Sequence, residues 1–244
     1  MSKSYDRLSA NDNMQPSNTV FEVDFKWKRM KALVSEKDPQ TNITTPKYIV
    51  DYHAFKCTTL VFHPYEDPEA VIGTGTLHPV TIHADYELHG QKGTIKALKR
   101  FMTLYTHLSY NYSNSPDRTP AAMTWTSASS FKTWDFICLD EQESAVAKFS
   151  TNCWSLNNVG CVEFLGPKAN DPAAREEILV TGMTLFYQMV LRATNFLSLG
   201  GAIFARPGPL DKEAAPKRPM ENAEGKSIKE LEATSSIDHG LEKS

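Results

Sequence analysis

Lys92, Lys96, Lys99 and Arg100 crowd into one short stretch that runs on into Phe101, Met102, Leu104, Tyr105 and Leu108. Basic side chains beside apolar ones suit an anionic lipid surface, where each cation contributes roughly 1 kcal/mol and salt weakens the attraction. The competing reading is a solvated amphipathic face. Histidines offer a second chemistry, because His53, Cys57 and His63 come close in sequence and His78, His83 and His89 follow. A structural zinc site needs four convergent ligands, usually as two close pairs, and that pattern is missing. His78 and His83 are an odd number apart and point to opposite faces of an unbroken strand. Nucleophilic catalysis lacks a frame as well: Ser129-Ser130 has no strand-turn-helix elbow, and Asp51 with His53 on one strand is a common coincidence. Gly73-Thr74-Gly75-Thr76 has neither the lysine nor the following helix of a phosphate loop. Glycines alternating inside a strand mark a bend or a close packing contact. No catalytic residue, metal or cofactor is expected, and the chain reads as a non-enzyme.

The elements that would carry these groups have a period of two. Phe21, Val23, Phe25 and Trp27 alternate with Glu22, Asp24, Lys26 and Lys28, which predicts a strand with one wet face. Further strands are expected at 47–53, 59–63, 70–77, 81–88 and 123–126, spaced as a meander, with another within 155–164. Residues 134–139 and 145–149 flank Asp140-Glu141-Gln142-Glu143-Ser144, a hairpin with a polar loop. Ile95, Leu98, Met102, Tyr105 and Leu108 fall at helical spacing, so the basic stretch is expected to lie on a surface helix, with a strand as the rival.

Near the end of this β-rich chain stands a nearly continuous apolar stretch, Ile178 to Phe204. About 20 such residues cross a bilayer. Gln188, Arg192 and Asn195 lie in its middle third, and an arginine at mid-bilayer costs roughly 2.5–3.5 kcal/mol, so a helix buried in protein is expected instead of a transmembrane span. Asp171-Pro172 followed by Glu176-Glu177 marks its start with a cap, a proline at the first helical position and acids in the first turn. Gly200-Gly201 and Arg206-Pro207-Gly208-Pro209 mark its end, and Gly182 within it admits a close neighbour. Many short strands and one apolar helix bury each other best as a barrel wrapped round the helix.

With 244 residues, 41% hydrophobic, and a net charge of −3, the chain suits one domain, residues 20–209, between disordered tails at 1–19 and 210–244. The acidic balance argues against nucleic acid as the main partner. No apolar run precedes Val20, which predicts an intracellular, cytoplasmic protein; Lys217-Arg218-Pro219 leaves a nuclear signal open, although a solvated tail is the commoner reading. Cys57, Cys138, Cys153 and Cys161 have no CxxC spacing and read as reduced core residues.

Trp134-Asp135-Phe136, Val146-Ala147-Lys148-Phe149-Ser150, Glu163-Phe164-Leu165-Gly166-Pro167, Glu176-Glu177-Ile178-Leu179-Val180-Thr181-Gly182 and Ala202-Ile203-Phe204-Ala205-Arg206-Pro207-Gly208 together resemble a fungal family related to the tubby C-terminal domain. That superfamily includes the plant LURP-one-related proteins and the phospholipid scramblases, and the resemblance covers roughly residues 20–209. It implies a mainly β fold, a closed antiparallel barrel of about a dozen strands enclosing a hydrophobic C-terminal helix. It also implies phosphoinositide binding by basic side chains, as in tubby domains, or calcium-dependent membrane activity, as in scramblases. The chain departs from both: Lys26-Trp27-Lys28 is its nearest approach to a Lys-x-Arg pair, and it has no proline-rich arm, cysteine cluster or acidic loop of EF-hand spacing. The expected function is therefore non-enzymatic binding of anionic phospholipid or phosphoinositide headgroups through Lys92, Lys96, Lys99 and Arg100 at a membrane surface. The alternatives are a scaffold that recruits protein partners through its tails, and a scramblase-like protein.

Overall fold

The computed structural model describes residues 19–26, 29–38, 40–53, 58–100, 102–117, 119–129, 132–151 and 158–194. Among them the strands run in chain order as β1 (Val20–Lys26), β2 (Lys31–Lys37), β3 (Thr44–His53), β4 (Thr58–Pro64), β5 (Gly73–Leu77) and β6 (Ala84–Leu88). They continue as β7 (Gln91–Ala97), β8 (Leu104–Ser109), β9 (Ala121–Ser129), β10 (Lys132–Leu139), β11 (Ala145–Thr151) and β12 (Asn158–Phe164), and one helix follows, α1 (Pro172–Thr194). Each strand pairs antiparallel with the next, and β1 closes on β12, giving the expected closed barrel.

Eight strands make a barrel that side chains alone can fill; twelve leave a lumen wide enough for a helix about 10 Å across. The helix occupies it. Glu177 to Leu185 is buried without a break, so every face of α1 meets protein. Its contacts reach strands all round the wall: Tyr187 to Phe25 and Tyr52, Phe186 to Phe149, and Gly182 under the Trp125 indole. A Cβ at Gly182 would lie 2.9 Å from Trp125 Cη2, which is the close neighbour that this glycine admits. On β5, a Cβ at Gly75 would overlap Thr184, and one at Gly73 would press on Val180. The alternating glycines are thus a seat that lets the helix lie against β5 while Trp125, Phe136 and Phe149 fill the wider side.

Asp171 caps α1 as expected: its Oδ1 accepts the Ala173 amide at 3.0 Å, with Pro172 next in line. The first turn itself carries no acid, because Glu176 and Glu177 stand just beyond it. Residues 195–204, with Asn195 and the Gly200-Gly201 stop, lie outside the described residues, as do Cys57, Cys153, residues 1–18 and 210–244. Among the described residues no helix is long and apolar enough to cross a membrane.

Two further expectations need correction. The helical spacing through Ile95, Leu98, Met102, Tyr105 and Leu108 is no helix; it straddles β7 and β8, with Ile95 and Tyr105 facing inward, Leu108 exposed on the outer wall, and Leu98 and Met102 on the connection between the strands. The rival strand reading is the observed one. Cys138 is buried as expected, whereas Cys161 is half-buried, between the buried Gly160 and the inward Val162. Strand β2 carries no clear alternation in sequence: Val34 and Ser35 are buried in succession, beside a shift where the ladder passes over Lys47 of β3.

Candidate functional site

In an up-and-down barrel, successive connections alternate between the two ends. One rim therefore gathers the β2–β3, β4–β5, β6–β7, β8–β9 and β10–β11 connections and the entry to α1, and the other gathers the remainder. Charge divides along the same line. The first rim carries Glu66, Asp67 and Glu69 between β4 and β5, and Asp140, Glu141 and Glu143 between β10 and β11, with Lys168 before the helix. At the second, the described connections hold Arg29, Lys99 and Arg100, and none of their described residues is a carboxylate. The helix runs from the acidic rim toward the basic one, so its positive dipole end meets the acids and Arg192 sits in its last described turn.

The four expected lipid contacts fall into two groups. Lys92 and Lys96 lie on the outer wall of β7, separated by Thr94. That wall is balanced by acids on β6: Glu87 stands opposite Lys92, and Asp85 stands opposite Thr94. Thr94 Oγ1 donates to Asp85 Oδ1 at 2.7 Å, while Asp85 Oδ2 lies 2.8 Å from His78 Nε2. Lys99 and Arg100 lie instead on the β7–β8 connection at the basic rim, where Lys99 is exposed and Arg100 half-buried. Met102 follows on the same loop, 52% exposed, and Val80 on the β5–β6 connection is 62% exposed. Cations beside protruding apolar side chains are what an anionic interface takes up. Arg29 and Val80 were not among the sequence candidates. Their signal appears only when alternate connections are summed as one surface, and that requires the meander order.

The axle helix holds this rim in shape. Gln188 is fully buried and serves the β5–β6 connection: its Oε1 accepts the His78 amide at 3.0 Å, and its Nε2 donates to the carbonyls of His78 and Thr81 at 2.9 and 3.2 Å. Arg192 serves the β7–β8 connection, donating from Nη1 to Tyr105 Oη at 2.6 Å and from Nη2 to the Arg100 carbonyl at 2.8 Å. Burial pushes the Tyr105 phenol up, partly offset by the guanidinium beside it. Gln188 and Arg192, two of the three polar residues that argued against a membrane span, thus dock α1 onto the loops of the basic rim.

Titratable groups also meet inside the barrel near the acidic rim. His107 Nε2 lies 3.3 Å from Glu177 Oε1, and Asn111 Nδ2 donates to Glu177 Oε2 at 2.7 Å. The pair is 2% and 3% exposed, with the Tyr86 ring standing edge-on to the imidazole. Burial pushes the nearby Cys138 thiol well up, away from the reactive thiolate. This cluster holds α1 to β8 through packed interior contacts. Arg175 does the same at the helix entry, reaching Glu36, Thr19, Asn170 and the Ala169 carbonyl while lying over the rings of Phe21 and Phe164. A shallow open depression of about 420 Å³ beside it is lined by Glu36, Asp38, Thr41 and Lys47, and the Glu36 carboxylate there is held by Lys47 and Arg175.

The histidines that invited a metal reading go separate ways. His63 Nδ1 faces the Ala70 carbonyl, His78 pairs with Asp85, His83 accepts the Ala97 amide, and His89 pairs with Glu176. Among the described residues no three His, Cys, Asp or Glu side chains converge as a metal site would require. No protein-family model, characterised protein or solved structure matches this chain.

Proposed function

We propose that this chain is a non-catalytic, tubby C-terminal-like barrel that docks on anionic phospholipid surfaces through its basic rim. One observation supports the reading above the rest: the described connections of that rim carry Arg29, Lys99 and Arg100 with exposed Val80 and Met102, and their described residues include no carboxylate. The balanced wall around Lys92 and Lys96 contributes less, because Glu87 and Asp85 stand in the same field. At about 1 kcal/mol per cation near an anionic leaflet, reversing Lys99 and Arg100 together removes well over tenfold of the affinity. The measurement is flotation with phosphatidylcholine vesicles, with and without phosphatidylserine or a phosphoinositide. Recovery should require the anionic lipid, fall with salt and collapse in the Lys99→Glu, Arg100→Glu double variant. Equal recovery on neutral vesicles, or an unaffected double variant, overturns the reading.

A protein-interaction role has its own supporting observation in the acidic rim, where Glu66, Asp67 and Glu69 share one loop. That surface suits a basic protein partner. Charge reversal there would abolish partner capture while leaving vesicle flotation unchanged.

A further inference from the structure

His83 ends the β5–β6 connection, immediately before β6, and its ring does the work of a backbone carbonyl. The β6–β7 ladder is registered from Ala84 with Ile95 to Leu88 with Gln91. One step beyond, the Ala97 amide donates to His83 Nδ1 at 3.0 Å. Ala97 is the last residue of β7, and the next residues are Leu98, Lys99 and Arg100. An imidazole nitrogen can accept an N–H only while it carries no proton, so this bond requires the neutral ring with its hydrogen on Nε2. Proton uptake at Nδ1 turns the acceptor into a donor, and two N–H groups then face each other.

The groups that face His83 come from every side. On β6 stands Asp85, which favours the charged ring; on β7 stands Lys96, and on the same connection His78, both opposing it. From α1 the nearby polar side chain is Gln188, which is neutral and bound to the backbone of His78 and Thr81. Burial is the largest influence and holds the imidazole below its ordinary value of 6.5. The ring is therefore neutral at pH 7, and it takes its proton only as the pH falls below that ordinary value.

We propose that His83 is a proton-operated latch on the basic rim: neutral, it clamps Ala97 at the end of β7, and protonated, it lets that strand end go and adds a cation beside Lys96, strengthening docking on anionic lipid while Arg192 keeps its hold on the Arg100 carbonyl. This rests on the docking reading above. One added charge near an anionic leaflet corresponds to about a fivefold gain in partitioning.

Two measurements separate the latch from the docking. The first is amide exchange of the full chain without lipid: the protection factor of Ala97 should fall between pH 7.4 and 5.5 while those of Ile95 and Tyr86 hold. In His83→Asn the side-chain amide oxygen can accept the Ala97 hydrogen but does not titrate, so protection should persist at both pH values. Unchanged Ala97 protection in the wild type overturns the latch. The second is flotation on phosphatidylserine-containing vesicles, where wild-type partitioning should rise about fivefold on acidification and His83→Asn should lose that rise. A full rise in His83→Asn overturns the coupling and assigns the effect to another group. Binding that is equal at both pH values overturns the coupling alone, while no wild-type binding at either pH overturns the docking reading together with the coupling.

Discussion

The two rims of the barrel are built on opposite plans. At the acidic rim the carboxylates serve their own loops: Asp38 Oδ1 accepts the Gln40 amide at 2.8 Å, and Asp140 Oδ1 accepts those of Gln142 and Ser144 at 2.9 and 2.8 Å. The Gln40 amide, followed by the Thr41 hydroxyl, holds the Asp38 carboxyl below the usual carboxylate range. Such loops are largely self-contained Asx turns. At the basic rim the anchoring comes from outside, with Gln188 and Arg192 reaching out from the helix to the backbone of the β5–β6 and β7–β8 connections. The difference teaches that the Asp38 and Asp140 loops keep their shape whatever the axle does, whereas the His89 and Asn111 connections, tied to Glu176 and Glu177, and the proposed docking surface take theirs from the seated helix.

The largest expected effect is at the acidic rim, where the helix itself is anchored. Arg175→Met strips Glu36, Thr19, Asn170 and the Ala169 carbonyl of their shared donor and should lower unfolding free energy by about 3 kcal/mol, read by urea denaturation. Arg175→Lys should recover only part, since an ammonium lacks the planar fork that reaches those partners together. Gln188→Leu, at the other rim, leaves the His78 amide and the carbonyls of His78 and Thr81 without the partner that reaches them from a fully buried position, at a cost of about 2 kcal/mol. It should also raise amide exchange across residues 78–83 selectively. A uniform rise over both rims would break the comparison, because it would mean that the β5–β6 loop is held by the barrel as a whole.

How much of this could be read in the chain depends on the range of the cause. The alternation from Phe21 to Lys26, the Asp171-Pro172 cap and the Asp140–Ser144 turn are set by neighbours a few residues apart, and each stands where local chemistry predicts. Strand β2 escaped because the successive burial of Val34 and Ser35 breaks its alternation, at a shift that exists only against β3, where Lys47 is passed over. The basic stretch was misjudged as a helix because a turn between Ala97 and Leu104 happens to keep apolar residues three and four apart. The candidate rim was half legible: Lys99 and Arg100 stood out as charges, but their separation from Lys92 and Lys96, and their company with Arg29 and Val80, are products of topology.

The smallest effect sharpens the contrast most. Arg192 is half-buried, and the groups it holds are a phenol and a carbonyl, Tyr105 Oη and Arg100 O, so removing it orphans no carboxylate of its own. The two losses differ in kind. Tyr105 is 1% exposed, and its hydroxyl has no ready substitute, whereas the Arg100 carbonyl lies in a rim loop that water can reach. Arg192→Leu should therefore cost only about 1 kcal/mol in a denaturant titration, well short of the roughly 3 kcal/mol that follows when a buried ion pair is broken. Its effect on docking should be larger than its effect on stability. Freed from the helix, the Lys99–Arg100 loop must be ordered again on the lipid surface, and that entropy weakens vesicle binding even though both loop cations remain. A variant that loses 3 kcal/mol of stability, or one that binds vesicles as the wild type does, would contradict a basic rim shaped by the axle.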